Sequence, residues 1–471
     1  MTDRYESPLS ARYASEEMVR LFSADNRYQT WRKLWVELAK VEKELGLPIT
    51  AGQIAEMESH IRDIDYDIVR SREKEVKHDV MAHIYAFGKA APSASGIIHL
   101  GATSCYVTDN TDLILYRQAL QFIRAQICSL LSSLAEFAGR YSGLPTVGYT
   151  HYQPAQLVTV GKRATLWMQD LLLDLRTLDS VLGELLFLGC RGATGTEASF
   201  MELFEGDSEK VDALNGMLAS SFGFPGIFPV CGQTYPRKVD SLILNALSGI
   251  AQSCSRFATD IRLLQHDHQI EEPFGSLQVG SSAMAYKQNP VRCERICSLS
   301  RYLMVTSMNG ALTASSQWFE RTLDDSANRR IALPEAFLCA DAVLRLAVNV
   351  TQGLRVNEPV IRKAVDRQVF FAATENLLMK SVKKGGDRQQ LHEAIRRITV
   401  QIEEEIKSGG DPDPCAVLIV SGCLPLSEEE IRESMDAARY TGRCEEQVKT
   451  FLRTVLPLFS QERKEFSPIE I

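Results

Sequence analysis

The chain has 471 residues, 45% of them hydrophobic and 24% charged, with a formal net charge of −8. That length suggests roughly three domains of ordinary globular composition. The acidic balance argues against a general nucleic-acid binder, whose backbone contacts need a basic face, but leaves room for a local basic pocket. The opening residues "MTDRYESPLSARYAS" are polar and charged, unlike a signal peptide, and no apolar run approaches the ~20 residues of a membrane span. The expectation is a cytoplasmic protein with neither nucleic-acid nor membrane partners. Eleven cysteines without a CxxC pair fit reduced thiols buried as small hydrophobes. Eight histidines without an HExxH or similar spacing give no reason to expect a metal.

Helical periodicity dominates the chain. Residues 1–103 read as an N-terminal domain of mixed helices with charged connections. Residues 104–356 carry long apolar stripes: Ile123, Ile127, Leu130, Leu134 and Phe137; then Trp167, Leu171, Leu175, Leu178, Leu182 and Leu185; then Ile243, Leu247, Ile250, Cys254, Phe257, Ile261 and Leu264. Stripes of this length predict long helices packed side by side at coiled-coil-like angles. Residues 357–471 read as a C-terminal domain of shorter, more charged helices, broken at "KKGGDR" and "GGDPDP". The predicted fold is all-α, three helical domains around a central long-helix bundle. "LWMQDLLLDLRTLDSVLGELLFL" is apolar on more than one side, a surplus that an interchain bundle would bury.

Polar islands interrupt the bundle: "ARYAS" (11–15), "VKHDVMAH" (76–83), "HLGATSCYVTDN" (99–110), "VGYTHYQPAQ" (147–156), "CGQTYPRKVD" (231–240), "GSSAMAYKQNP" (280–290) and "WFERTLDDSANRR" (318–330). Each has a plain reading. Thr103, Ser104, Thr108 and Asp109 suit helix caps. His151 suits a satisfied turn histidine, "RTLDDSANRR" a solvated charged face, and Asn289-Pro290 the start of a helix. "GCRGATGTEAS" (189–199) lacks the phosphate-loop pattern and reads as a flexible connector.

Together the islands offer more. Arg12, Lys77, His78, Lys287, Arg295, Arg321 and Arg330 supply positive charge, and Thr103, Ser104, Gln233, Asn289 and Ser326 neutral hydrogen bonds. That inventory suits a ligand carrying carboxylates and a phosphate. His151 and Ser281 add a proton donor and a candidate base. Elimination next to a carboxylate needs such a set, because fixed cations and amides stabilise the aci-carboxylate that forms.

"GSSAMAYKQNP" resembles the signature of the fumarase/aspartase superfamily. The other islands, with "ATEN" (373–376), resemble its adenylosuccinate lyase branch in the animal-type form, over nearly the whole chain and more weakly after residue 400. The resemblance implies cleavage of adenylosuccinate to AMP and fumarate, and of succinylaminoimidazole carboxamide ribotide to aminoimidazole carboxamide ribotide and fumarate. It implies no metal or organic cofactor, and a homotetramer whose sites are shared between subunits. It makes His151 the general acid and Ser281 the general base. Arg12, Tyr13, Lys77, His78, Asp79, Thr103, Ser104, Gln233, Lys287, Asn289, Arg295, Arg321, Ser326 and Arg330 would hold substrate. Two positions depart from the pattern. Ala285 replaces the signature proline, freeing φ, and Lys77 replaces an arginine, losing the planar fork. A mobile glycine-led loop would close over substrate, with Lys287 and the helix N-terminus at Pro290 stabilising the Ser281 alkoxide. Other lyases of the superfamily, and a catalytically silent helical scaffold, are the competing readings.

Overall fold

The computed structural model describes residues 3–275 and 277–462. In chain order the helices before the first strand are α1 (Glu16–Leu21), α2 (Ala24–Glu44), α3 (Ala51–Ser59), α4 (Tyr66–Val76), α5 (Asp79–Ala90) and α6 (Ser104–Arg140). A hairpin of β1 (Pro145–Thr150) and β2 (Gln153–Thr159) leads into α7 (Val160–Glu184), α8 (Ala198–Leu203), α9 (Ser208–Ser221) and α10 (Lys238–His266). The short strand β3 (Ile270–Glu271) precedes α11 (Val291–Ser315) and α12 (Asp324–Gln352). Its partner β4 (Arg355–Val356) precedes α13 (Glu358–Lys383), α14 (Arg388–Lys407), α15 (Pro414–Ser421), α16 (Glu428–Glu433) and α17 (Cys444–Val455). The fold is all-α. Starts are set locally: Ser23, Asp65, Asp207, Asp387 and Asp413 accept from first-turn amides, and Thr50 with Gln53 and Ser427 with Glu430 form capping boxes.

Two compact units emerge. The first comprises Met1–Ile127, Leu173–Ser255 and Ile296–Arg345; the second comprises Cys128–Leu172, Arg256–Arg295 and Leu346–Ile471. The points of division fall inside α6, α7, α10, α11 and α12. α6 has 37 residues, a length of about 55 Å at the α-helical rise.

The first unit buries a line of aromatic rings. Tyr28 stacks on His83 with centroids 3.9 Å apart, Trp31 meets His83 edge-on at 5.2 Å, and Phe337 lies between Phe22 at 5.4 Å and Tyr116 at 5.8 Å. In the second unit Trp167 packs edge-on to Phe257 at 5.2 Å and donates its indole N–H to Asp260 at 2.7 Å. Farther along, Phe370, Leu377, Leu391, Ile395, Ile398, Ile402, Leu418 and Ile431 form a separate cluster. The seven-residue stripe on α10 is buried throughout, as its spacing requires. In the α7 stripe Leu182 is only half-buried, and Leu185 lies beyond the helix end.

Eight of the free cysteines are buried, and Cys231, Cys415 and Cys423 are half-buried. The segment 189–199 is not a loose connector. Arg191 is buried and donates to the Leu188 and Phe228 carbonyls and to Glu197, while the Cys190 N–H donates to Asn215 at 2.7 Å. A long polar side chain inside a glycine-rich run stitches it down, which a search for phosphate-loop spacing does not register. Among the described residues no helix is long and apolar enough to cross a membrane.

Candidate active site

The first unit brings several islands together. α4 ends at Lys77, left-handed with φ 55°, whose N–H closes the helix onto the Glu73 carbonyl at 2.8 Å. That tight reversal places His78 at the N-cap of α5, where Nδ1 accepts from the Met81 N–H at 3.4 Å. His78 Nε2 lies 3.5 Å from the Ser104 hydroxyl, at the start of α6. Asp79 follows and meets the Arg330 guanidinium at 3.1 Å. Thr103 donates to the Gly192 carbonyl at 3.5 Å. Gln233 donates through its side chain to Ala193 O at 3.1 Å and through its backbone to Glu320 O at 3.0 Å. Arg12 and Tyr13 sit in a five-residue π-helical turn, Leu9–Tyr13. Lys77, His78, Arg12 and Arg330 are exposed, and Arg321 and Ser326 half-buried.

Two histidines in these islands are structural. Burial, then the charge of Arg32, lowers His83 to about 4, and burial lowers His99 to about 4. His99 accepts the Trp35 indole N–H at Nδ1, 2.9 Å away. Both rings are neutral near pH 7 and neither is a ready proton donor.

Beneath the exposed groups lies a buried ion-pair network. Arg237 donates to Asp109 at 2.8 Å and to Asp325 at 2.5 Å, and Asp325 accepts from Arg321 at 2.8 Å. Arg329 donates to Asp240 at 2.5 Å and to Asp112 at 3.1 Å, and Asp112 also accepts from Arg27 at 2.7 Å. Burial alone would raise the Asp112 carboxyl, but Arg27 and Arg329 overcome it and hold it below the usual carboxylate range. "RTLDDSANRR" is thus not simply a solvated face. Asp325 and Arg329 point inward as struts, while Arg321 and Arg330 reach outward. Asp109 is a strut as well, not a cap.

The second unit holds the two candidate proton-transfer residues. His151 and Tyr152 form the two-residue loop between β1 and β2, where Thr150 pairs with Gln153. Both have positive φ, 53° and 58°, as a type I′ turn requires at its two central positions. Asn-Gly is the usual choice there; two bulky side chains in that conformation are strained. The hairpin tip, Tyr149–Gln156, is exposed. His151 is therefore not a satisfied, buried turn histidine.

In the signature loop Ser281 Oγ accepts from the N–H of Met284 at 3.1 Å and of Ala283 at 3.3 Å. Met284–Lys287 forms a turn closed by Lys287 N–H to Met284 O at 3.0 Å. A Cβ at Gly280 would collide with the Lys287 carbonyl oxygen, so the loop's ends approach only because residue 280 is glycine. Asn289 donates to the Gly280 carbonyl at 2.7 Å and does not cap α11 through its side chain. Buried Glu272 does the capping, accepting from Arg292 N–H at 3.0 Å and Cys293 N–H at 2.8 Å. Contrary to expectation, the first-turn amides Arg292 N–H and Cys293 N–H are not available to a Ser281 alkoxide, because they already serve the Glu272 carboxylate. Gln265 completes the root, accepting from Glu272 N–H at 3.0 Å and donating to Gln288 O at 3.2 Å. Arg295 lies half-buried near the start of α11. Among the described residues no hydrogen bond or ion pair joins His151 to Ser281.

A family model described as a lyase matches residues 12–304, and one described as the adenylosuccinate lyase C-terminus matches residues 371–451. The adenylosuccinate lyase of Schizosaccharomyces pombe is 48% identical over 95% of this chain and 94% of its own length. That of Saccharomyces cerevisiae is 47% identical over 96% and 94%, and that of Schistosoma mansoni 44% identical over 96% and 95%. The chain belongs to the adenylosuccinate lyase family. It is a lyase of the fumarase/aspartase superfamily. A solved structure of 3-carboxy-cis,cis-muconate lactonizing enzyme from Pseudomonas putida superposes with a TM-score of 0.82 over 96% of this chain and 99% of its own, at 22% identity. That likeness concerns the fold alone.

Against the adenylosuccinate lyase motifs, sequence reading missed Gln265 and Glu272 at the root of the loop, and Arg237, Asp240 and Arg329 in the network. The last three lie inside quoted islands. On α12 the i, i+4 placement of Asp325 and Arg329 puts both on one face, whereas the ion-pair partners of Arg237 and Asp240 lie far away in the chain.

Proposed function

We propose that the chain eliminates fumarate from adenylosuccinate, leaving AMP, and from succinylaminoimidazole carboxamide ribotide, leaving aminoimidazole carboxamide ribotide, in purine nucleotide biosynthesis. The observation that carries the mechanism is the Ser281 hydroxyl oxygen, which accepts two backbone N–H groups of its own loop. Donors aimed at that oxygen stabilise its anion, so the Ser281 hydroxyl gives up its own proton to solvent before closure more readily, and the alkoxide, not the hydroxyl, is the base. Ser281 then takes the Cβ proton of the succinyl group. The electron pair is held as an aci-carboxylate beside Lys287 and Asn289. The C–N bond breaks as His151 delivers a proton to the leaving nitrogen, and the carbon–carbon double bond of fumarate forms. None of these proton transfers or bond changes calls on a metal or an organic cofactor.

Arg321, Ser326 and Arg330, with Arg12 and Tyr13, suit the phosphate end. Lys77, His78, Asp79, Thr103, Ser104, Gln233 and Arg295 suit the remainder of the substrate. Arg330 engages Asp79, so a phosphate would replace that carboxylate as its partner. Complete sites would arise on assembly of a homotetramer. In support, Val305, Met308 and Leu312 form an exposed apolar line on α11, and Leu166 and Leu173 lie exposed on α7, surfaces that an interchain bundle would cover. The segments 1–103, 104–356 and 357–471 are our proposed domains, and a cytoplasmic location suits the reduced cysteines.

A substrate panel tests the reading. Purified protein should release fumarate from adenylosuccinate and not from argininosuccinate, malate or aspartate. Release from argininosuccinate in place of adenylosuccinate would move the chain to another branch of the superfamily, and no release from any of them would favour a silent scaffold.

A further inference from the structure

We propose that Asp325 is a positioning residue for the phosphate end of the substrate, acting through Arg321 and itself anchored by Arg237. The proposal rests on the reading of Arg321 as a phosphate ligand. Four alternating charges run outward from the core of the first unit: Asp109, Arg237, Asp325 and Arg321. The Asp325 side chain is fully buried and divides its two oxygens, Oδ2 facing Arg237 Nε at 2.5 Å and Oδ1 facing Arg321 Nη1 at 2.8 Å. Arg237 is equally buried and spans Asp325 and Asp109, on helices α12 and α6. Arg321 keeps about a fifth of its side chain exposed, at 21%.

An arginine on a surface segment samples many rotamers, and ordering it costs binding free energy. Here one nitrogen is held from behind by a carboxylate that cannot move, because its other oxygen is locked to a second buried arginine. The guanidinium plane is set before ligand arrives, and its other N–H groups remain for a bidentate phosphate contact. One alternative has the opposite sign. Asp325 is also a negative charge behind the phosphate site, and if charge alone mattered its removal would tighten binding of an anion. Positioning predicts that removal weakens it.

The test is Asp325→Asn, which keeps shape and loses the charge-assisted hydrogen bonds, assayed with adenylosuccinate and with its 5′-dephosphorylated nucleoside. KM for adenylosuccinate should rise about tenfold, the size of one lost charge-assisted hydrogen bond, with kcat within about twofold. KM for the nucleoside should not change. In an Arg321→Met background the same substitution should add nothing, because it acts through Arg321. An unchanged or lower KM for adenylosuccinate, equal losses on both substrates, or a full further loss in the Arg321→Met background would overturn the proposal. If Asp325→Asn does not fold, Arg237→Lys keeps the charge without the fork and should give the same phosphate-specific rise; equal change on both substrates would overturn it there too. Arg321→Met alone separates the two ideas. If it leaves phosphate discrimination intact, the phosphate reading of Arg321 fails, whatever Asp325 does.

Discussion

Glu42 offers a test of the packing that is independent of catalysis. It lies on α2 with no exposed surface, and neither carboxylate oxygen has a hydrogen-bond partner among the described residues. Burial pushes its pKa up from 4.5 to about 8. In the folded chain the carboxyl stays protonated across a pH range in which the unfolded chain releases the proton. Stability from this group is therefore complete below about 4.5 and declines as pH rises, levelling off above about 8. Each pH decade in that window costs at most ~1.4 kcal/mol, so the ceiling is roughly 5 kcal/mol, reduced by any relaxation that admits water. Glu42→Gln removes the titration and keeps the shape. Denaturant midpoints for both proteins between pH 5 and pH 8.5 should converge at the acid end and separate toward the alkaline end, with the variant more stable. Parallel curves would refute the assignment of a neutral, unpartnered carboxyl at this position.

Ser281→Ala should lower kcat by about 10²–10⁴-fold, the usual worth of a general acid–base group, with substrate affinity by equilibrium dialysis retained; near-normal turnover would pass the role to Ser282 or elsewhere. Arg330→Met should weaken adenylosuccinate binding, measured by titration calorimetry, far more than binding of the dephosphorylated nucleoside, and equal losses would remove Arg330 from the phosphate end. Ala285 occupies the second position of the turn Met284–Lys287, the position proline favours, so Ala285→Pro should stabilise by ~0.4–1 kcal/mol through the unfolded state. A lower melting temperature in that variant would show that the loop needs the freedom alanine gives it.

The long helices were legible because their apolar spacing is long and uninterrupted. The α10 stripe from Ile243 to Leu264 predicts its own burial with no knowledge of its neighbours. The hairpin was not legible. β1 and β2 are short, and the residues between them, His151 and Tyr152, lack the glycine or asparagine that normally announces a tight turn. The outward members of the site, such as Arg321 and Arg330, could be named from residue type and motif. Their inward partners could not. Whether Asp325 is a strut or a surface charge depends on Arg237, eighty-eight positions away, and spacing within one helix does not reveal that pairing. Glu272 illustrates the same limit, because a carboxylate twenty-one residues before Cys293 is not visibly the cap of that residue's helix until the chain has turned back on itself.

We propose further that His151 and Ser281, acid and base of one shared site, are drawn from different subunits, and this is tested most directly by mixing two inactive proteins. His151→Gln and Ser281→Ala should each be nearly inactive alone. After dissociation and reassociation of an equal mixture, about a quarter of the sites should pair an intact His151 with an intact Ser281, since the two come from independently drawn chains of a symmetric oligomer. The account predicts that fumarate release from adenylosuccinate returns to about that fraction of the wild-type rate. No recovered activity, with chain exchange confirmed by labelling, would contradict it.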